Sequence, residues 1–490
     1  MDCSKMNTMP GQTRVFPLMI VNAPPKAGVI TVTTPFDGAF IAEVETGDQR
    51  HVEKALQTAC ALFKNRAQWL PLHERIGILE RAARIMLKEH NALSLEATLE
   101  GGKPLIDSQI EVTRAIDGLH LCIEALKSEP GHVIPMGTSE ASTHRTAFTL
   151  KQPIGVVVAV SAFNHPLNLI VHQVATAVAA GCPVIVKPAE DTPLSCLRFV
   201  DILHRAGLPE GWCQSLVVQN IAIATQLVTD QRVGFFSFTG SAKVGWMLRS
   251  KLAPGVRCAL EHGGAAPVIV ADDADDDLAL RAILRGGYYH AGQVCVSVQR
   301  VFVPQAKAYM FAKELANRAS RLRVGDPTKI DTEVGPLIRH SEVLRVHEWV
   351  DEAVAAGANC LAGGQPLSAS CYPCTVLLDP PHSAKVSCLE IFGPIICIYG
   401  YDRIDAAITE ANSLPVAFQS AVFTKSIDTA LQFYKQFDAS VVMVNDHTAF
   451  RIDSMPFAGL RQSGLGVGGI PHTIADMQIE KMLVINSPEL

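Results

Sequence analysis

The chain has 490 residues, 48% apolar and 18% charged, with a formal net charge of -6. That length exceeds one ordinary core and predicts two or three lobes, and the composition excludes a disordered polymer. Acids and bases are interspersed, which gives no case for nucleic acid or anionic lipid as a partner, and the longest apolar run, Ile154 to Phe163, is too short to cross a bilayer.

At the N-terminus, Asp2 and Lys5 precede an apolar stretch, Val15 to Val21, that Pro17 breaks. This is not the pattern of a signal peptide. The 13 cysteines are scattered without zinc-ligand spacing, Cys371 and Cys374 being an isolated pair. Such a set reads as free thiols in a reducing, cytoplasmic space, with no metal site.

Pro35-Phe36-Asp37-Gly38 predicts a turn. Val52, Leu56, Ala59 and Phe63 recur at helical spacing, and Ile76, Leu79, Ala83 and Met86 give a second amphipathic helix. A third runs from about Ile106 to Leu126 and is stopped by Glu129-Pro130-Gly131. His144 to Lys151 alternates like an edge strand or hairpin arm outside the main core.

Apolar runs then alternate with helical sequence. The runs are Val156 to Ala162, Val184 to Val186, Leu216 to Val218 and Phe235 to Phe238, with helices over 167–180 and 194–206. This is the signature of a parallel sheet with crossover helices, whose ligands sit at the carboxyl ends of the strands. A second α/β region runs from Pro267 to about Phe457, with strands at Val301–Val303, Val376–Leu378 and Val441–Val444. The strand-like Lys481 to Ile485 either completes a sheet or pairs with another chain.

Six segments carry chemistry. In Gly292-Gln293-Val294-Cys295 a thiol follows a glycine loop, where amide dipoles can stabilise a thiolate nucleophile. Glu261 in Leu260-Glu261-His262-Gly263-Gly264 can act as a base, or is an ordinary acid before a turn. Asn164 in Phe163-Asn164-His165-Pro166 follows the first parallel strand and can donate to an oxyanion, or simply cap a helix. Lys187 and Glu190 follow the next strand, where an acid commonly binds a ribose, although a solvated pair has the same sequence. Gly240 and Ser241 connect a strand to a helix N-terminus, a place for pyrophosphate, although no G-x-G-x-x-G fingerprint is present. Glu390 and Phe392 lie at a tight turn before Gly393-Pro394 and can hold a ribose and a ring.

Together and in this order these segments resemble the aldehyde dehydrogenase superfamily, from Pro35-Phe36-Asp37-Gly38 to Pro456-Phe457-Ala458-Gly459. Gly325-Asp326-Pro327, Glu333-Val334-Gly335-Pro336-Leu337 and Ser463-Gly464-Leu465-Gly466 add to the resemblance. It implies Cys295 as nucleophile, Glu261 as base and Asn164 as oxyanion donor. It implies Lys187, Glu190, Gly240, Ser241, Glu390 and Phe392 as contacts to NAD or NADP, with Glu190 favouring NAD by repelling a 2′-phosphate. The implied fold is α/β: a Rossmann-like NAD-binding lobe at 1–130 and 152–261, and a catalytic lobe at 262–465. A small β oligomerisation flap at 131–151 and 466–490 would join subunits into a homodimer or homotetramer.

Some positions depart from the family pattern. His262 replaces an apolar residue, His290 stands where Asn is common, Ala458 replaces Gly, and Gln219-Asn220-Ile221 replaces a glycine-rich segment. Arg114, His165 and Arg451 are candidates for clamping a small anionic aldehyde of the phosphonoacetaldehyde, lactaldehyde or glyceraldehyde-3-phosphate type. A neutral or aromatic aldehyde is the alternative substrate. A cofactor-free thiol hydrolase and a catalytically retired binding relative are the alternative functions.

Overall fold

A computed structural model describes residues 14–128 and 130–490. Expectations resting on Asp2, Lys5 and Glu129 lie outside the described residues.

The expected parallel sheet has six strands. In spatial order they are Gly464–Leu465, Arg257–Glu261, Val233–Thr239, Val156–Val160, Val184–Lys187 and Cys213–Ser215. All pairs are parallel except the first, where Gly464–Leu465 runs antiparallel to Arg257–Glu261. Val156, Val157, Val158 and Ala159 are all buried, because helices cover both faces and consecutive side chains must be apolar. Val156–Val160 is flanked by Val184–Lys187 on one side and Val233–Thr239 on the other. The crossovers diverge there, and a crevice opens beyond the carboxyl ends.

One expected strand is displaced. Leu216 to Val218 is loop, and the strand is Cys213–Ser215 just before it. Gln214 is fully buried there because its amide is satisfied on both sides: Nε2 donates to Ala55 O at 3.0 Å and Oε1 accepts from Val21 N at 3.4 Å.

The second sheet has seven strands, centred on Val298–Pro304, Ala266–Val270 and Ile395–Tyr401. The helices Asp276–Tyr288 and Gln305–Ala319 pack on it around Ile283, Phe302, Leu315 and Phe423. The segment expected as an edge strand or hairpin arm outside the main core is Arg145–Pro153, which lies in a separate three-stranded antiparallel sheet, at its middle rather than its edge. It pairs with Val133–Ile134 and, over nine residues, with Gln478–Asn486, so the C-terminal strand completes a sheet within the chain.

The helices Gln49–Lys64, Leu72–Lys88 and Leu105–Ser128 follow the expected periodicity. One helix has no apolar signature in the sequence: His90–Gly101, which ends at Gly102 in a left-handed conformation. Its polar Ser94, Glu96, Thr98 and Glu100 are all buried, so no apolar stripe marks it.

Candidate active site

A cavity of about 1230 Å³ lies between the two large sheets. All twelve residues singled out in the sequence line it: Cys295, Glu261, Asn164, Lys187, Glu190, Gly240, Ser241, Glu390, Phe392, Arg114, His165 and Arg451.

The thiol is presented by an unusual backbone. After the helix Asp276–Tyr288, His290, Ala291 and Gly292 are all left-handed, with φ of 49°, 54° and 71°. Only glycine fits the third position, since a Cβ on Gly292 would overlap the carbonyl oxygen of Gly393. Buried Gln293 fastens the loop: its Nε2 donates to His290 O and Pro336 O, each at 3.3 Å, and Oε1 accepts from Ile338 N at 3.0 Å. Asn164 Nδ2 donates to Gln293 O at 2.9 Å, which fixes that amide beside the cysteine loop. One Nδ2 hydrogen remains for another acceptor. Gly264 N donates to Cys295 O at 3.2 Å. Burial pushes the Cys295 thiol up to about 12; the Arg451 charge opposes this, and Glu390 and Glu261 reinforce it.

Glu261 ends the strand Arg257–Glu261. Its carboxylate lies over Gly468, where any Cβ would overlap Oε1. Its backbone carbonyl accepts from Gly240 N at 3.1 Å, and the adjacent His262 Nδ1 pairs with Gly240 O at 3.0 Å. Burial lowers the pKa of His262, so the ring is neutral and donates to that carbonyl. This departure from an apolar residue therefore ties the acid-bearing strand to the turn at Gly240.

The strand ends farther along form a polar cradle. Lys187 Nζ donates to Glu190 Oε1 at 2.6 Å and to Pro188 O at 3.0 Å. Ser241 precedes the helix Ala242–Arg249 without a side-chain cap, which leaves the first-turn amides open to an acceptor. Burial raises the Glu390 carboxyl to about 8, partly offset by Arg345, and its buried Oε1 has no hydrogen-bond partner among the described residues. Phe392 stands edge-on to Phe163, with ring centroids 5.8 Å apart and planes at 84°. An orphaned carboxyl oxygen, an uncapped helix start and a Lys–Glu pair lining one cavity fit the hydroxyls and pyrophosphate of a dinucleotide.

At the other end, Arg114 is held by Asp453 through Nε–Oδ2 at 3.0 Å and Nη2–Oδ1 at 2.7 Å. Arg451 stacks on Phe457 with its guanidinium carbon 3.6 Å from the ring centroid. Arg451 Nε and Nη2 are buried without an acceptor among the described residues. His165 Nδ1 is 2.8 Å from Lys103 Nζ, which also pairs with Glu111, and Lys103 and Glu111 are each 1% exposed.

Lys103, Glu111 and Asp453 were not found by sequence reasoning. Lys103, in Gly101-Gly102-Lys103-Pro104, offered a signal, as a cation in a tight turn directly before a helix. Among the described residues no cluster of His, Cys, Asp or Glu is placed to hold a metal ion, and no helix is long and apolar enough to cross a membrane.

A family model described as the aldehyde dehydrogenase family matches residues 23–483. The 3-sulfolactaldehyde dehydrogenase of Priestia aryabhattai is 36% identical over 446 residues, 91% of this chain and 92% of that protein. Aldehyde dehydrogenase 21 from Physcomitrella patens, solved with the reaction product succinate, superposes with a TM-score of 0.93 at 32% identity, covering 98% of this chain and 100% of that one. The glyceraldehyde-3-phosphate dehydrogenase GapN from Methanocaldococcus jannaschii, solved with NADP, superposes with a TM-score of 0.88 at 31% identity, covering 94% of this chain and 99% of that one.

Proposed function

The chain belongs to the aldehyde dehydrogenase family and has its α/β fold, and from that premise we propose that it oxidises a short acid-bearing aldehyde to the carboxylic acid with NAD, or alternatively NADP. The observation that carries this reading is the convergence of Cys295, Asn164, Glu261 and Arg451 on one cavity.

Once deprotonated, the Cys295 sulfur adds to the carbonyl carbon, and the carbonyl electron pair moves to oxygen. The free Nδ2 hydrogen of Asn164 and the Cys295 backbone N–H hold that oxyanion. A bound nicotinamide would supply the hydride acceptor; loss of hydride from the tetrahedral carbon leaves the acyl group on Cys295 as a thioester. Glu261 then takes a proton from water. The water oxygen adds to the acyl carbon, the C–S bond breaks, and the acid departs. This base supports hydrolysis over acyl transfer to coenzyme A.

Glu390 with its free Oε1, Lys187, Glu190, Gly240, Ser241 and Phe392 would hold the dinucleotide. The half-exposed Glu190 would repel a 2′-phosphate, which supports NAD over NADP. The NADP complex of GapN supports a dinucleotide site and keeps NADP as the second cofactor. Arg451 and His165, with Arg114 behind them, support an acidic substrate, as do the relatives named for sulfolactaldehyde and solved with succinate.

The six- and seven-stranded sheets would be the cores of the NAD-binding lobe at 1–130 and 152–261 and the catalytic lobe at 262–465. The three-stranded sheet would be the oligomerisation flap of a homodimer or homotetramer. Its outer strand exposes Met482, Leu483, Val484 and Ile485, an open apolar edge suited to a second copy. The twelve described cysteines are all free, which fits a cytoplasmic location. Absorbance of NADH on mixing protein, NAD and a panel of acidic and neutral aldehydes tests the reading. Preferential turnover of the acidic members is expected, and better turnover of neutral ones overturns the substrate assignment.

A further inference from the structure

We propose that the acid group of the substrate is a monoanion, a carboxylate or sulfonate rather than a phosphonate or phosphate dianion, and that Asp453 sets this limit by cancelling the charge of Arg114. The inference rests on the reading of this cavity as a site for acidic aldehydes.

Three cations stand at this end of the cavity or directly behind it. Arg114 is bound by both carboxylate oxygens of Asp453, which also accepts from Asn168 Nδ2 at 3.1 Å and pairs with His172 Nε2 at 2.7 Å. Lys103 is paired with Glu111, whose other oxygen caps Leu167 N and Asn168 N at 2.9 and 3.0 Å. Arg451 has no ion pair within 4.0 Å among the described residues, and two of its donors lack an acceptor there. Arg285, which faces neighbouring Tyr289, is paired with Asp107 at 2.7 Å.

The remaining groups bring no positive charge. Burial, then the charges of Lys103 and Arg114, hold the pKa of His165 well below its ordinary value. Lys103 donates to His165 Nδ1, so the proton of the neutral ring is on Nε2. Burial likewise keeps His290 and His172 neutral and the Tyr289 hydroxyl protonated. Glu261 faces Arg451 and already opposes its charge.

One guanidinium that makes no ion pair among the described residues, its charge opposed only at longer range by Glu261 and Asp453, and one neutral N–H therefore meet the acid group. A monoanion is matched by them. A dianion would leave a full negative charge near Glu261 in a partly desolvated site, which should lower kcat/KM about tenfold or more.

The test compares one short aldehyde chain ending in carboxylate, sulfonate, phosphonate or a neutral amide. A phosphonate gains its second charge as pH rises from about 6 to about 8. Ratios of kcat/KM between substrates cancel the ionisation of the enzyme's own nucleophile. At about pH 8 the carboxylate and sulfonate should lead the phosphonate about tenfold, and the lead should narrow toward about pH 6. D453N, which leaves Arg114 uncompensated, should narrow it at the higher pH. The wild-type ratio decides the matter if that variant does not fold. A phosphonate that equals the carboxylate at the higher pH while both exceed the neutral amide overturns the monoanion limit alone. A neutral amide that exceeds all three acids overturns the acidic-substrate reading itself.

Discussion

Arg114 and Asp453, 339 residues apart in sequence, are joined by two hydrogen bonds of 3.0 and 2.7 Å. The pair fastens the loop carrying Arg451 to the long helix Leu105–Ser128 at one end of the cavity. It also divides the labour between the two arginines. Arg114 holds structure, and Arg451 keeps donors in reserve.

Replacing Arg451 by Gln should raise KM for acidic aldehydes about 10- to 100-fold, the worth of one or two hydrogen bonds to a charged group. KM for a neutral aldehyde of the same length should change little. Steady-state kinetics on both substrates measure this difference.

Burial holds the Cys295 thiol at about 12, so little thiolate exists at neutral pH in the free enzyme. The rate of alkylation by iodoacetamide should therefore keep rising through the alkaline range, about tenfold per pH unit. Arg451 favours the thiolate, so R451Q should slow alkylation at every pH in that range. A wild-type plateau near neutrality would contradict the structural environment of the thiol.

Burial alone would raise the Asp453 carboxyl, but hydrogen bonding to His172 and the charge of Arg114 outweigh it and hold the group well below the usual carboxylate range. A depressed pKa in the folded state gives stability that is fully present above the unfolded value, about 4, and is lost as pH falls below it. D453N should cost about 3–5 kcal/mol at neutral pH and flatten the acid limb of the stability curve. Melting temperatures of both proteins between about pH 3 and 7 read this out.

Gly292 has φ of 71° and no room for a Cβ beside Gly393. G292A should displace the thiol loop and lower kcat at least about a hundredfold while the protein remains folded. Circular dichroism with single-turnover kinetics separates loss of geometry from loss of fold.

Much of this was legible in the sequence, for identifiable reasons. Val156–Val160 and Val184–Val186 announced themselves because the covered part of such a strand must be apolar on both faces. Cys295, Glu261 and Asn164 stand out in the sequence because each lies at a strand end or a glycine turn, and the fold brings all three to one cavity. Cys213–Ser215 was misplaced because Gln214 is a buried polar residue whose partners, Ala55 and Val21, are distant in sequence. The same physics concealed Asp453 and the Lys103–Glu111 pair. Charged residues default to the surface, and only the folded chain shows which partners let them go inside. The central position of Arg145–Pro153 was hidden because its outer partner is the C-terminal strand, more than 300 residues away.

The central claim is that Cys295 carries the acyl group and Glu261 releases it. Peptide mass spectrometry of E261Q quenched after mixing with NAD and an acidic aldehyde tests both halves at once. The account predicts an acyl adduct on the peptide containing Cys295, with NADH formed in a burst of about one per site. An unmodified Cys295 peptide together with undiminished steady turnover would contradict it.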